Sequence, residues 1–480
     1  MISQRFLISL FIALLLFQIV DCKKSSGTKS GTSGSSSTKP STSSSNGKNK
    51  VYAGESEVSP LVEFLAGIIL FFISFPILWL NEYKAAENEI NLERAEKECT
   101  STNCLEVNPN LEKRLIHING QTKTENILKD KRFGIEVDNC LVLKRRVETY
   151  QWIRKEETEG VGKDKKIKVF FVTEWSAIPQ ESYENFENDD KDWTIKKKTK
   201  YAKEAYLGAY KLTKFQLKQA KDFKVITPKQ EFVSICQQSF PQRTQEHIKI
   251  QDDYIYFNKI DGNFTVGDQR IRFQMIKCGD ATVVSQQKGN SFEPYSLYVK
   301  NNQLLNDYDH KDSDHSIYVG EDLSQILKDK ADENGIKKQL KHLLEPIKYI
   351  DWFLEKILTI HEVFDHKLKE SRKLTLAIRF LGFLLMFFGL MFFFSPIVYV
   401  ISWFPFLGRF MAELSTFLFA LVSAMISIPL TLITIALAWL RFHPKRALVI
   451  FGIAFMIGFT VWVIISKKGS RQYQEEYDNY

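Results

Sequence analysis

LVEFLAGIILFFISFPILWL, residues 61–80, carries one charge, Glu63, close to its start. At about 1.5 Å of rise per residue this stretch measures about 30 Å as a helix, the thickness of a bilayer's hydrocarbon core. It predicts a membrane span, and three similar runs follow near the other end of the chain. Residues 380–401 hold no charge, and residues 414–440 hold none either, with Pro429 placed to kink or tilt the helix. Residues 446–465 follow the basic turn at 441–445. Trp79, Trp403, Trp439 and Trp462 stand near the ends of these runs, where amphipathic rings prefer the interface. Buried helices of a large soluble protein would carry charges every turn or two. In the third run Ala420, Ser423, Ala424 and Ser427 form small pairs four apart, a spacing that lets helix backbones approach and pack in lipid.

The composition agrees once its distribution is considered. Across 480 residues the net charge is +8, a mild excess, and 44% of residues are hydrophobic, enough for a core. The mean hydropathy of −0.20 resembles a soluble protein only because the apolar residues, 37 Phe among them, are bunched. A purely soluble enzyme and a fully disordered chain are both excluded. Residues 1–22 place Arg5 before an apolar stretch and then Asp21-Cys22-Lys23-Lys24, the shape of a signal peptide or of an uncleaved signal anchor. Residues 23–60 are rich in Ser, Thr, Gly and Lys and predict a disordered linker.

Residues 81–332 are polar and long enough for one large or two small domains. Residues 81–99 continue the first span as a charged helix. Beyond them, apolar and polar residues alternate at 141–152, 168–175, 247–257 and 269–276, with turn signals such as Asp261-Gly262-Asn263 between. That period of two favours antiparallel β structure. The sequon Asn263-Phe264-Thr265 would be glycosylated on the lumenal side of a membrane. Five cysteines fall in this region: Cys99, Cys104, Cys140, Cys236 and Cys278. Cys99 and Cys104 are close enough in sequence for a local disulfide in an oxidising lumen. Asp307, Asp309, His310, Asp312, Asp314 and His315 could together hold a divalent ion, but the bland reading, a solvated acidic loop, is preferred, so no metal is expected. No nucleophile elbow, P-loop, zinc-protease helix or dinucleotide fingerprint occurs, so neither catalysis nor a cofactor is expected.

Residues 333–379 predict an amphipathic heptad helix. Ile336, Leu340, Leu343, Ile347, Ile350, Leu354 and Ile357 recur at steps of four and three, interrupted by Pro346. Such a seam could pack on the β domain, join two copies of the chain, or lie on the membrane surface.

Several local stretches together resemble the transmembrane protein 43 family, also called LUMA: FPILWLNE at 75–82, RRVETYQW at 145–152 followed by TEW at 173–175, VGDQRIRF at 266–273, EVFDHKLKE at 362–370, WFPFL at 403–407 and LTLITIALAWLRFHP at 430–444. The likeness covers about residues 61–465. It implies a multi-pass α-helical membrane protein with a large, mainly β (α+β) lumenal domain between the first and second spans. It further implies residence in the endoplasmic reticulum and inner nuclear membrane, and a non-enzymatic role, self-associating, maintaining the nuclear envelope and retaining its proteins. Emerin and lamins are partners of animal members, and nucleic acid is not expected as one. The lysines before residue 61 and the basic tail at 466–480 suit a cytosolic or nucleoplasmic placement of both flanks by the positive-inside rule. A cleaved signal peptide would invert the first span; an uncleaved anchor would not. Two other classes stand beside the scaffold: a membrane-tethered lumenal lipid-binding module or enzyme, which would need a deep polar pocket, and a channel, which the scarcity of ionisable residues within the spans disfavours.

Overall fold

The computed structural model describes residues 42–45, 48–57, 59–183, 185–188, 193–241, 246–297, 345–440, 442 and 444–477. Residues 1–41, and with them the signal segment, lie outside these, as does the acidic and histidine-bearing stretch at 307–315.

Helix α1, Pro60–Glu98, begins with Pro60 in its first turn, where a missing N–H costs nothing, and ends at Cys99 in extended backbone. Two short helices belong to the sheet domain, α2 (Lys214–Gln219) and α3 (Glu231–Ser239). Helix α4, Ile360–Phe393, opens on a capping box in which Thr359 and Glu362 satisfy each other's backbone N–H groups. After a break at Phe394 come α5 (Ser395–Ile401), α6 (Gly408–Trp439) and α7 (Pro444–Tyr477). Three helical stretches among the described residues are long and apolar enough to cross a membrane: α1, α4 with α5, and α6. The fourth run, 446–465, lies inside α7, which also takes up most of the basic tail.

The strands between α1 and α4, joined by two strands that precede α1, build two main sheets that are antiparallel apart from one parallel pair, Thr100–Ser101 beside Leu115–Lys123. The nine-stranded sheet contains β1 (Thr42–Ser45), β2 (Lys48–Glu57), β7 (Cys140–Glu159), β8 (Lys166–Ser176), β9 (Lys198–Tyr201), β12 (Lys224–Ile226), β13 (His247–Gln251), β14 (Tyr254–Asn258) and β15 (Gln269–Lys277), with the central order β2-β8-β7-β15-β14-β13. The seven-stranded sheet contains β3 (Thr100–Ser101), β4 (Leu115–Lys123), β10 (Tyr206–Leu207), β11 (Tyr210–Lys211), β16 (Asp280–Lys288), β17 (Ser291–Glu293) and β20 (Trp352–Leu354), with β4 and β16 at its centre. Two small ribbons pair β5 (Leu128–Asp130) with β6 (Ile135–Val137), and β18 (Tyr295–Ser296) with β19 (Tyr349–Ile350).

Strand β4 shows how the layers stack. Its Ile116 and Ile118 enter a core shared with Leu141, Val142 and Ile276 of the larger sheet. Its Leu115 enters another core with Leu92 and Ala95 of α1 and Val363 and Phe364 of α4. The smaller sheet is thus buried on both faces, by the larger sheet on one and by the α1/α4 pair on the other. A third core, with Phe133, Phe240, Phe257 and Phe273, packs α3 on the larger sheet.

Two sequence expectations are overturned here. Part of the linker, residues 42–45 and 48–57, is strand rather than disordered, because β2 finds an edge at β8, with Val51 opposite Phe171 and Tyr52 opposite Phe170. The Tyr52 and Phe170 rings meet edge to face at 5.7 Å. The heptad helix also fails over its second half. Ile350, Trp352 and Leu354 are buried strand residues, and the next helix starts only at Ile360. Residues four apart share a face in a strand as well as in a helix, so the step from Ile350 to Leu354 fits both. Pro346 and the β-forming Trp352-Phe353 pair decide for the strand. The sheet domain accordingly extends to Leu354, past the expected limit at 332.

Candidate functional site

The longest helix contact joins α1 and α4, which run antiparallel. On α1, Gly67, Ser74, Asn81, Asn88 and Ala95 are buried at intervals of seven. On α4 the facing seam includes Thr375, Ile378, Gly382, Leu385 and Gly389, stepping alternately by three and four. Glycine sets the separation in the apolar half. A Cβ on Gly67 would lie 2.7 Å from the Gly389 carbonyl oxygen, and one on Gly382 would clash with the Leu78 side chain. In the polar half the seam turns to hydrogen bonds: Asn81 donates to the Thr375 carbonyl at 3.1 Å, and Asn88 donates to the Ser371 hydroxyl at 3.0 Å. Asn88 also accepts the Ile347 N–H at 2.7 Å, tying the stem to the strand region.

One carboxylate joins three helices at the boundary between the halves. The Glu82 side chain is fully buried. Arg379 of α4 donates through Nε to Oε1 at 2.8 Å and through Nη2 to Oε2 at 2.5 Å. Trp439 of α6 donates its indole N–H to Oε2 at 2.6 Å, and Asn81 donates to Oε1 at 3.0 Å. The forked guanidinium offsets the burial of the charge, and every contact fixes the angle between helices. Arg372 of α4 and Arg446 of α7 converge on Glu89 at 3.1 and 3.0 Å, about two turns further along α1.

At the opposite end of α1, Glu63 bonds to Lys165 and Ser395. Lys165 belongs to the tip of the β7–β8 hairpin. Nearby, the Lys163 backbone N–H donates to the Ser402 hydroxyl at 2.9 Å, and the Lys163 ammonium lies 5.3 Å from the Trp403 ring centre. The twenty residues of β7, at about 3.3 Å each, span about 65 Å, so the larger sheet runs beside the bundle to reach this end.

The smaller polar sites fall in the sheet domain. His117 is buried between two partners. Its Nε2–H donates to the Leu358 carbonyl at 2.8 Å, which leaves Nδ1 to accept from the Ser101 hydroxyl at 3.1 Å. Burial lowers its pKa, opposed by the Leu358 bond, and suits this neutral form. Asp351, between β19 and β20, accepts from Gln216 of α2 at 2.8 Å, and burial pushes its carboxyl up to about 6. Asn263 is exposed on the loop between β14 and β15. The sequon's Thr265 donates its hydroxyl to the buried Asp268 at 3.0 Å.

The Cys99–Cys104 disulfide does not form: both are free thiols. Extended β3 separates them, so that Cys99 joins the core against α1 and α4 whereas Cys104 sits over Gly120 and Gly208 in the core between the sheets. Burial pushes the Cys99 thiol up to about 12 and the Cys236 thiol to about 12, which makes both poor nucleophiles. Among the described residues, no group of three or more His, Cys, Asp and Glu is placed to hold a metal ion.

Of the proposed helix-packing residues, Ser423 and Ser427 are fully buried on α6 and Ala420 and Ala424 half-buried. One turn on, Thr431 donates to Met386 Sδ at 3.7 Å, which sets this face of α6 toward α4. Of the seven heptad residues, Ile336, Leu340 and Leu343 lie outside the described residues, Ile347 is half-buried and Ile357 exposed. Ile350 and Leu354 are consumed by the core and cannot also join two chains. The α1/α4 seam escaped sequence reading, although its interval of seven is present. It crosses from an apolar to a charged segment and is built from Gly, Ser and Asn, so no hydrophobic period marks it.

Comparison with known proteins identifies relatives over most of the chain. The family profile described as Transmembrane protein 43 matches residues 149–444, more than half of the chain. Transmembrane protein 43 of Homo sapiens is 24% identical over 408 residues, covering 81% of this chain and 86% of the relative. The Mus musculus protein is 23% identical over 409 residues, covering 80% and 85%. No solved structure matches the chain. With apolar helices of spanning length and a large sheet domain on an α1/α4 stem, this chain belongs to the transmembrane protein 43 family.

Proposed function

We propose that the protein is a non-enzymatic scaffold of the endoplasmic reticulum and inner nuclear membrane, with its long helices crossing the bilayer and its sheet domain in the lumen. The observation that carries this reading is the continuity of the stem. Helices α1 and α4 pass unbroken from their apolar halves into the core beneath the smaller sheet. A partner held by the sheet domain would therefore be held at a fixed angle to the membrane. Leu61, Leu65, Ile69 and Phe72 of α1 and Phe410, Phe417 and Leu421 of α6 are exposed, an apolar surface suited to lipid or to further copies of the chain. Self-association would run through this helical surface, and envelope proteins of the emerin and lamin kind are the partners that family likeness suggests.

A bilayer enclosing α1 completely would compete with the hairpin tip for Glu63. The tip is too charged, at Lys163, Asp164, Lys165 and Lys166, to enter hydrocarbon. In membranes the reading therefore requires the tip to be displaced from Glu63.

Glycosidase treatment of the protein expressed in microsomes tests the orientation. A mobility shift that is lost in Asn263→Gln is expected, from a chain that stays in the pellet after alkaline carbonate. Release by carbonate, or modification of a sequon added near Ser41 with none at Asn263, would overturn the proposal.

A further inference from the structure

The sheet domain carries a cavity lined wholly by charged residues. It has a volume of about 290 Å³, and its walls are Lys129, Asp130, Lys131, Arg132, Arg145, Lys198 and Lys200. Two basic segments far apart in sequence, KDKR at 129–132 and KKKTK at 196–200, are brought together because β9 pairs with β7, placing Lys198 opposite Arg145. Six cations thus share one small space with a single lining carboxylate.

That carboxylate is already engaged. Arg145, buried, holds Asp130 at 2.7 Å and donates through Nε to the Lys196 carbonyl at 3.1 Å. Outside the cavity wall, Glu136 holds Lys129 at 2.8 Å in an exposed pair. Lys131 and Lys198 are exposed at the mouth. Two guanidinium groups are held in place by rings: Arg132 lies 4.1 Å from the Phe240 ring centre and Arg145 5.0 Å from that of Phe133. Burial lowers the proton affinity of Arg145, Asp130 raises it, and Arg132 lowers it again, as expected of two cations close enough to repel. Assembling like charges in a concave site is unfavourable without a counter-charge, and a fixed set of forks and ammonium groups matches phosphate oxygens.

We propose that this cavity binds a compact phosphate polyanion, the diphosphate or clustered phosphomonoester group of a small molecule or of a lipid headgroup. The volume lies at the lower limit of ligand pockets, so it admits a phosphorylated group rather than a whole large ligand. The cations line a hollow rather than a stripe, which does not suit the tracking of a nucleic-acid backbone. Binding at this site does not depend on the scaffold role or on the orientation proposed above.

The full chain, purified in detergent micelles, is titrated with inorganic diphosphate by calorimetry at low and at moderate salt. Saturable binding that weakens with salt is expected. The Lys131→Gln, Lys198→Gln double variant, altered only at exposed side chains, should bind at least about tenfold more weakly, the equivalent of one charge-assisted hydrogen bond. Lys277→Gln, elsewhere on the surface, should bind as the unaltered chain does. A second titration compares a soluble inositol phosphate with phosphatidylinositol phosphate in mixed micelles. Equal binding of both assigns the site to the phosphate group itself, and binding of the lipid form alone assigns it to a headgroup. No saturable binding of any of these probes, or equal binding by the double variant, would overturn the proposal.

Discussion

Glu63 and Glu82 stand on the same helix and are both buried, yet they are held in different ways. At about 1.5 Å per residue they lie about 28 Å apart along α1. Glu82 draws its partners, Arg379, Trp439 and Asn81, entirely from the long helices. Glu63 depends on Lys165, which a long hairpin delivers from the sheet domain, and on Ser395. The two ion pairs are buried to similar degrees, with Lys165 27% and Arg379 33% exposed, so the difference lies in the forked guanidinium and the indole N–H that only Glu82 receives. Strength within the bundle is therefore concentrated at the end next to the sheet domain. In the placement proposed above, a bilayer around the bundle would leave the first cluster intact and compete directly with the second.

The largest effect is expected at Glu82. Replacement by Ala leaves the buried Trp439 N–H without its acceptor and takes the counter-charge from Arg379, a third of which is exposed, which should cost about 2–4 kcal/mol. Thermal unfolding in detergent would measure it, and a change below about 1 kcal/mol would mean that this end of the bundle is no stronger than the other. Gly67→Ala probes the seam between the two carboxylates. Its Cβ would meet backbone atoms of α4, the Gly389 oxygen at 2.7 Å and the Phe393 nitrogen at 2.8 Å, with no flexible side chain to yield. A loss of about 1–3 kcal/mol is expected by the same assay, and no loss would show that the helices separate freely there.

Asp351 supplies a buried carboxylate whose pKa shift owes nothing to a neighbouring cation among the described residues. Its pKa of about 6 stands above the value of about 3.9 for an unfolded aspartate. A raised folded value means that the group favours folding fully below pH about 4 and loses that contribution as pH rises through about 6. Asp351→Asn keeps an acceptor for Gln216 and removes the charge. It should stabilise the chain by about 1–3 kcal/mol at pH 7 and leave it unchanged near pH 4. A gain that is equal at both pH values would show that the burial of charge is not its cause.

Glu63→Ala should have the smallest effect, below about 1 kcal/mol, because the freed Lys165 reaches water. The same pair also distinguishes the two environments. Cysteines placed at Glu63 and Lys165 should crosslink in detergent and fail to do so in intact microsomes. Crosslinking in microsomes at the detergent yield would mean that the hairpin keeps its hold and α1 does not cross.

The legibility of this chain varied with the range of the interactions. The apolar runs at 61–80, 380–401 and 414–440 were plain, since each announces its solvent through its own residues. The alternation in 141–152 and 269–276 likewise revealed β7 and β15, which pair with each other. The errors arose where two local readings coincide or where a partner is remote. The Ile350–Leu354 step suited a helix and a strand equally. The segment at 48–57 lacks a strong apolar pattern and becomes ordered because a strand more than one hundred residues away offers an edge. The basic cavity needed β9 to lie against β7 before its two lysine-rich segments met.

The sequence by itself determined that long helices of this protein belong in a membrane and that its middle is built from strands. Those conclusions follow from hydropathy and period, which every residue carries with it. Only the tertiary structure decided that α1 and α4 close on glycines, that Glu82 gathers three helices, and that six cations share a hollow. Each of these depends on side chains that meet across long separations in the chain, and such meetings are set by packing rather than by neighbouring residues.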